Sequence, residues 1–506
     1  MKLLKLAYVP FLLTATLAAV VRLLFSFDGL YGQDAFAYFN FARAIWPHLL
    51  HGAPLPHLDW PIGYPVAVAC LMPVIGQRPV AGQIVSTIAC GWAAAATSVL
   101  VLELPRVQRT AWRPLPSPLV AGLCVALSGG VLRYSQAVMA DALGLAAAAT
   151  CLLLVTEYTK SGKGVFILTA TIAWAIGTVT RWLDGILVVP LTLFAFACRR
   201  YPSDHAESEV ERNWPWIAAA ILAGAAILLP QLAIAHSSPA SFEQHEWLLA
   251  WDLRNAFRRD FHTPEGHAAY RLPVALFYLV RLGWHDYFFP LLALLSLAGA
   301  GLLTSRREWP ILVLLAGWPL AALTFLSGIP YENPRFLLPT LPAIAALAAY
   351  GFSYLQSRFS GRLLRRAPIL LLVLSLGAGL LLGGREHLRT VTRKNRDLAL
   401  VHWVDEVLPA KATLLMSGGT LIFEEYGRIR VRETFTMSAE QTQALVAQPG
   451  QFFFLEAPEE MKAQWAGLQP ALNFDALSAY PGLTPVEWNG VYTLFRVGPP
   501  DRASER

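Results

Sequence analysis

The sequence predicts a polytopic α-helical membrane protein with a small α/β domain at its C-terminal end. Three observations point there. The chain of 506 residues is 55% hydrophobic and only 15% charged, against about 25% charged in soluble domains. Apolar runs long enough to cross a bilayer recur from the start to about residue 384. Beyond residue 385 the apolar runs shorten to strand length and alternate with helical patterns.

Taken in order, about eleven spans are expected, near 7–27, 80–103, 117–133, 136–157, 164–180, 183–198, 214–235, 286–303, 310–328, 335–355 and 367–384. The basic, apolar start also suits a cleaved signal peptide, but its length and the lack of a small-residue cleavage site favour a retained first span. Residues 28–79 form a first loop, with a short helix in its proline-broken stretch 61–76 expected to lie half-buried rather than to cross. A second long loop, 236–285, carries Trp247, Trp251, Tyr278 and Trp284, residues suited to the bilayer interface, and Arg254, Arg258 and Arg259, suited to lipid phosphates. An amphipathic helix on the membrane surface is expected in it.

Basic residues fix the expected orientation. Lys2, Lys5, Arg106, Arg109, Arg113, Lys160, Lys163, Arg199, Arg200, Arg212, Arg306, Arg307, Arg358, Arg362, Arg365 and Arg366 fall on one side by span counting, which makes it the cytoplasm. The two long loops, the 327–335 turn and the 385–506 domain then face outward, from the plasma (inner) membrane. The net charge of +6 belongs to those cytoplasmic loops, so no nucleic-acid partner is implied. The five cysteines lie in or beside apolar runs without metal or redox spacing.

In the 385–506 domain the segments ATLLM, IRVRE, QFFFLEA and VYTLFRV read as strands, with the last closing a sheet. Ser438 followed by Gln441 reads as a capping box. No nucleophile elbow, phosphate loop or metal spacing appears there, so the domain is read as a support or a partner-binding cap.

Ionisable residues at the ends of apolar spans are costly and therefore point to function. On the expected outer side they are Asp34, Arg133, Asp141, Arg181, Asp184, Arg281, Asp286, Glu332 and Arg335. If the span ends converge, they make one pocket with carboxylates for proton transfer and guanidiniums for a phosphate. Each has a plainer reading: Asp34 as a helix cap, Asp141 as a partner for Arg133, Asp184 for Arg181, Glu332 for Arg335. Asp28 and Asp59 read as loop acids. The histidines His48, His51 and His57, with Glu243, His245 and Glu246, are available to a divalent metal, but no tight spacing singles them out, and the reading requires no cofactor.

Four motifs in order carry a resemblance: Gln33–Asp34 before an aromatic helix, PIGYP leading to Gly76, RYSQAVMADAL with Asp141, and RFLLPTLPAIAALAAYG opening at Arg335. Over residues 1–384 the chain resembles the GT-C glycosyltransferases, nearest the protein O-mannosyltransferase and aminoarabinose transferase group. The resemblance implies inverting transfer of a sugar from a polyprenyl-phosphate donor to a hydroxyl of a protein, lipid or glycan acceptor, at the outer membrane face. Asp34 would be the general base and Asp141 would orient the acceptor. Arg181 and Arg335, with Arg133, would hold the leaving phosphate. The chain departs from the group where Ala35 follows Asp34, where Ile62 follows Pro61, and where Arg181 stands in a common lysine position. A carrier or flippase of lipid-linked sugars, a surface-polysaccharide ligase or polymerase, and a non-catalytic scaffold are the rival readings.

Overall fold

The structure is a computed structural model and describes residues 2–58, 60–104, 117–200, 213–237, 250–263, 266–283, 290–359, 361–435, 437–446, 451–456, 459, 461 and 464–498. It divides into two compact units: Met1–Phe257 with Leu272–Arg389, and Arg258–Arg271 with Thr390–Arg506.

The first unit is helical. Among the described residues, seven helices are long and apolar enough to cross a membrane, and five shorter apolar helices accompany them. Each of the eleven expected spans falls on one of these twelve. In chain order the helices that matter for the site are α1 (Lys2–Phe25), α2 (Gln33–His51), α3 (Gly63–Ile75), α4 (Val80–Glu103), α5 (Ser117–Ala126), α6 (Gly129–Tyr134), α7 (Asp141–Ser161) and α8 (Val165–Thr180). The proline-broken stretch forms α3, with Tyr64, Val68 and Met72 buried and Val66 and Val74 exposed. The expected single span 117–133 is instead α5 and α6, separated at Leu127–Ser128.

Helix α7 begins at Asp141, not near residue 136. The reason is a polar row on α4. Gln83 donates to the carbonyls of Phe27 and Gln136, each at 2.9 Å. Ser86 donates to Ala137 O at 2.8 Å and Thr87 to Ser135 O at 2.9 Å. With these carbonyls already satisfied, residues 135–140 need no helix to bury their backbone. The same row anchors the first loop. Gly29 adopts φ 93°, and a Cβ there would lie 2.8–2.9 Å from Gln83, the Gln136 carbonyl and Val138. Only glycine permits both that backbone and that approach.

Small residues set the packing of two later helices, Pro290–Ser305 and Leu341–Arg358. Ser296 Oγ donates to Ile344 O at 3.0 Å. A Cβ on Gly299 would meet the Leu347 carbonyl, and one on Gly351 the Leu295 carbonyl. Close backbone approach of this kind replaces the hydrophobic drive that lipid removes.

The second unit holds a five-stranded sheet. Its strands beyond residue 400 are Thr413–Met416, Arg430–Glu433, Phe452–Glu456, Leu483–Trp488 and Thr493–Val497. The spatial order is 430, 413, 452, 493, 483 by first residue. The first three are parallel and the last two pair antiparallel. Both faces are covered: Leu414, Phe453 and Leu455 pack with Val401, Val404 and Phe423, while Phe452 and Phe454 pack with Phe474 and Leu477. A strand buried on two faces explains the unbroken apolar run QFFFLE. The four expected strands are present, but Thr493–Val497 is internal. The edge is Leu483–Trp488, whose residues are mostly exposed and include Pro485, so no alternation announced it. The capping box forms as expected: Ser438 N donates to Gln441 Oε1 at 2.8 Å, and Gln441 N to Ser438 Oγ at 3.1 Å.

In the second long loop the described residues give a β-hairpin, Asp260–Thr263 with Gly266–Ala269, and a helix, Val274–Gly283. The hairpin was not expected there. It belongs to the second unit, and a Cβ on Gly266 would press on the Gln464 carbonyl. The helix exposes Leu276, Leu279 and Val280 along one side. Asp59, Arg106, Arg109, Arg113, Arg212, Glu243, His245, Glu246, Trp247, Trp284 and Asp286 lie outside the described residues.

Candidate active site

Four separate pieces of chain bring charge to one cavity in the first unit. The first is α2. Its N-cap is Gly32 and no side chain caps it, so Asp34 is the second helical residue rather than a cap. Asp34 is thereby free to point elsewhere, and a carboxylate in a first turn is favoured by the helix dipole. One turn on, Tyr38 shares its face. Tyr38 is buried, and its phenol is pushed well above its ordinary pKa, first by burial and then by the charge of Asp34.

The second piece is the 135–140 segment, which delivers Asp141 to the start of α7. The third is the break after α8. Arg181 takes an extended conformation there, before the 3-10 helix Trp182–Leu187. The fourth is the segment YENPRF. Tyr278 OH donates to Tyr331 O at 2.9 Å and accepts from Asn333 N at 3.1 Å. Asn333 Oδ1 accepts from Arg335 N at 3.2 Å and so starts the 3-10 helix Pro334–Thr340.

Two ion pairs result. Arg335 Nη1 lies 2.7 Å from Asp34 Oδ2. Arg181 Nη1 lies 3.2 Å from Asp141 Oδ1, with both side chains almost wholly buried. The ring of Phe336 lies 5.5 Å from the Arg335 guanidinium and 5.9 Å from that of Arg181, distances at which a cation and a ring attract. All four charged residues line one cavity with Tyr38, Trp60, Pro61, Met139, Ala140, Trp182, Leu183, Ile329 and Phe336. It encloses about 570 Å³, open solvent at its mouth included.

Two of the three local pairings weighed from the sequence are replaced by cross-chain ones, while Asp184 stays beside Arg181. Asp141 pairs with Arg181 and not with Arg133. Arg335 pairs with Asp34 and not with Glu332. Asp184 is buried, and it and Arg181 both pack against Gly144, where a Cβ would lie 2.6 Å from Asp184 Oδ2 and 2.8 Å from Arg181 Cδ. Glu332 is not part of the cavity lining. Burial raises its pKa from the ordinary 4.5 to about 7, with Arg281 pulling the other way. Arg133 is also not among the lining residues. Its guanidinium lies 5.5 Å over the Tyr134 ring, because the chain turns at 135–140 before reaching the cavity. Asp28 accepts from Leu30 N at 3.0 Å, as a loop acid does. Among the described residues no group of three metal-ligating side chains converges.

Sequence reasoning missed Tyr38, Trp60, Trp182 and Phe336. Tyr38 had a signal, its spacing of four from Asp34. The others depend on which loops meet.

Neither a family model nor a curated protein sequence matches the chain. Solved structures do share its fold. ArnT from Cupriavidus metallidurans, bound to undecaprenyl phosphate, aligns at a TM-score of 0.64 and 12% identity, over 96% of this chain and 99% of that one. The oligosaccharyltransferase AglB from Archaeoglobus fulgidus, in complex with an inhibitory peptide and a dolichol-phosphate, aligns at 0.59 and 11%, over 99% of this chain and 75% of that one. A structure of the Archaeoglobus fulgidus oligosaccharyltransferase in complex with Zn and sulfate aligns at 0.58 and 12%, over 96% and 72%. The chain therefore shares its fold with ArnT and with this oligosaccharyltransferase.

Proposed function

We propose that this protein is a GT-C-type glycosyltransferase that moves a sugar from a polyprenyl-phosphate donor to an acceptor hydroxyl, with inversion, at the outer face of the plasma membrane. The observation that carries the reading is the meeting of two carboxylates and two guanidiniums in one cavity of an otherwise apolar helical unit. The solved neighbours that bind undecaprenyl phosphate and dolichol-phosphate supply the donor class.

Asp34 is the base. It takes the proton of the acceptor hydroxyl as that oxygen bonds to the anomeric carbon. The bond from that carbon to the phosphate oxygen breaks, and the electron pair leaves on the polyprenyl phosphate. Arg335 has five donors in a rigid fork, so it can hold Asp34 on one edge and the phosphate on another. Arg181 adds a second positive charge where negative charge grows, an electrostatic contribution to the transition state. Asp141 holds Arg181 and orients the reactants. Tyr38, kept protonated by its surroundings, is a donor beside Asp34.

Single elements support this side of the membrane. Asp141 starts α7 and Lys160 lies in its last turn; a 21-residue helix is about 30 Å long, the thickness of the hydrocarbon. Arg335 opens, and Arg358 closes, the apolar stretch Pro334–Arg358. Lys160, Lys163, Arg306, Arg307 and Arg358 are exposed. Basic residues mark the cytoplasmic side, which supports an outward cavity; a single crossing by the apolar stretch Arg366–Val407, which follows Arg358, supports an extracytoplasmic 385–506 domain. The acceptor is a hydroxyl of a protein, lipid or glycan. No step calls for a metal.

The test is turnover by the full chain in lipid nanodiscs with a panel of undecaprenyl-phosphate sugars, read as release of undecaprenyl phosphate. Release that depends on an added hydroxyl acceptor is expected. Transport of the intact donor without cleavage would replace the reading with that of a carrier.

A further inference from the structure

Residues 328–333 run between the helix Trp309–Ser327 and the 3-10 helix Pro334–Thr340 without regular structure. They lead directly to Arg335, the partner of Asp34. Such a segment must find partners for its backbone outside itself, and the second long loop supplies them. At one end the Gly328 carbonyl accepts from Asp252 N at 3.0 Å and from Asn255 Nδ2 at 2.9 Å. At the other end a single side chain serves two residues. Tyr278 OH donates to Tyr331 O and accepts from Asn333 N.

Tyr278 is fully buried and is not among the residues that line the cavity. Its phenol oxygen can donate once and also accept. Both capacities are used on residues four and two positions before Arg335. Asn333 then passes the constraint on, because its side chain accepts from Arg335 N. Phenylalanine would fill the same space, but it would take from the segment one acceptor and one donor.

We propose that Tyr278 is a positioning residue for Arg335: acting through Asn333, it sets where the guanidinium stands between Asp34 and the leaving phosphate. The inference rests on the transferase reading for the task of Arg335. The helix Val274–Gly283 thereby acts on the chemistry without touching the reactants. The effect is large for its distance, since a shift of about 1 Å in a group at the reacting centre can cost on the order of 10²-fold.

The experiment uses the full chain in nanodiscs, with bare undecaprenyl phosphate as the binding probe and an undecaprenyl-phosphate sugar for turnover. The proteins are wild type, Tyr278→Phe, Asn333→Ala, Asn333→Ser, Arg335→Gln and the double variant Tyr278→Phe with Arg335→Gln. Tyr278→Phe and Asn333→Ala are each expected to lose about 10–10²-fold in kcat and to bind bare undecaprenyl phosphate more weakly. Asn333→Ser can cap the same turn and should keep most of both. With Arg335 already replaced, Tyr278→Phe should cost less than about twofold more, because a residue in one network with Arg335 has nothing left to position. A defect that is merely structural would cost as much in either background, and that result overturns the proposal. So does wild-type kcat and lipid affinity in Tyr278→Phe. If Tyr278→Phe fails to fold, the Asn333 pair decides: equal losses for alanine and serine, or none for either, overturn it. Wild type that binds the lipid phosphate but turns nothing over counts against the transferase reading, and the binding measurements still judge the positioning role.

Discussion

Arg335 Nη1 and Asp34 Oδ2 lie 2.7 Å apart, although they are 301 positions apart in sequence. One arrives on the first turn of α2 and the other on a 3-10 helix pinned by Asn333 and Tyr278. In the resting site each holds the other: the guanidinium fixes the carboxylate, and the carboxylate keeps a cation in the cavity wall.

Asp34→Asn tests the base. The amide keeps shape but cannot take a proton, so turnover should fall by about 10²–10⁴-fold while undecaprenyl phosphate still binds. Unchanged single-turnover rates would remove Asp34 from the chemistry.

Arg335→Gln tests the charge on the leaving group. Loss of about 10²–10³-fold in kcat is expected, with weaker binding of the bare lipid phosphate. In a double-mutant cycle with Asp34→Asn the two effects should be non-additive by about 0.5–3 kcal/mol, as for residues in contact. Simple additivity would mean the two act separately.

Arg181 and Asp184 both pack against α7 at Gly144. Gly144→Ala places a methyl 2.6 Å from Asp184 Oδ2 and 2.8 Å from Arg181 Cδ. The two side chains must shift, and misplacement of a catalytic group by about 1 Å can cost on the order of 10²-fold. Activity should drop well before stability does. Full activity with an unchanged donor KM would show that Arg181 is not held there.

Gly351→Ala tests the helix pair Pro290–Ser305 and Leu341–Arg358. A Cβ would strike the Leu295 backbone carbonyl, which cannot step aside like a side chain. Overpacking of about 1–3 kcal/mol or more follows, seen as a lower melting temperature. An unchanged melting temperature would contradict the close packing.

Glu332 gives a pH dependence. Its pKa rises on folding, from 4.5 to about 7, so the folded protein holds this proton more tightly than the unfolded chain. Its effect on stability is therefore favourable at low pH and is lost as pH climbs through that window. Glu332→Gln should flatten the fall in melting temperature between pH 4.5 and 7 and should melt higher than wild type at pH 8. The same slope in both proteins would place its origin elsewhere.

Much of the architecture was written along the chain. Apolar runs of span length located the long helices, because a bilayer demands about 20 apolar residues whatever their neighbours. The capping box at Ser438 and Gln441 could be read because both partners lie within one turn. The edge strand Leu483–Trp488 could not, since an exposed strand with a proline carries no alternation.

The site divides in the same way. Sequence alone marked Asp34, Asp141, Arg181 and Arg335, because a charge at the end of an apolar helix has no reason to be there without a task. The pairings it offered as plainer alternatives were local, since only near neighbours are visible along a chain. Tertiary structure decided the partners, by bringing α2, the 135–140 segment, the break after α8 and the YENPRF turn to one cavity, and it left Arg133 out. It also chose Trp60, Trp182 and Phe336, whose types are ordinary in a membrane protein and whose place is set only by which loops meet. Burial cost is local and can be read from composition; the pairing that offsets it is long-range and must be seen in three dimensions.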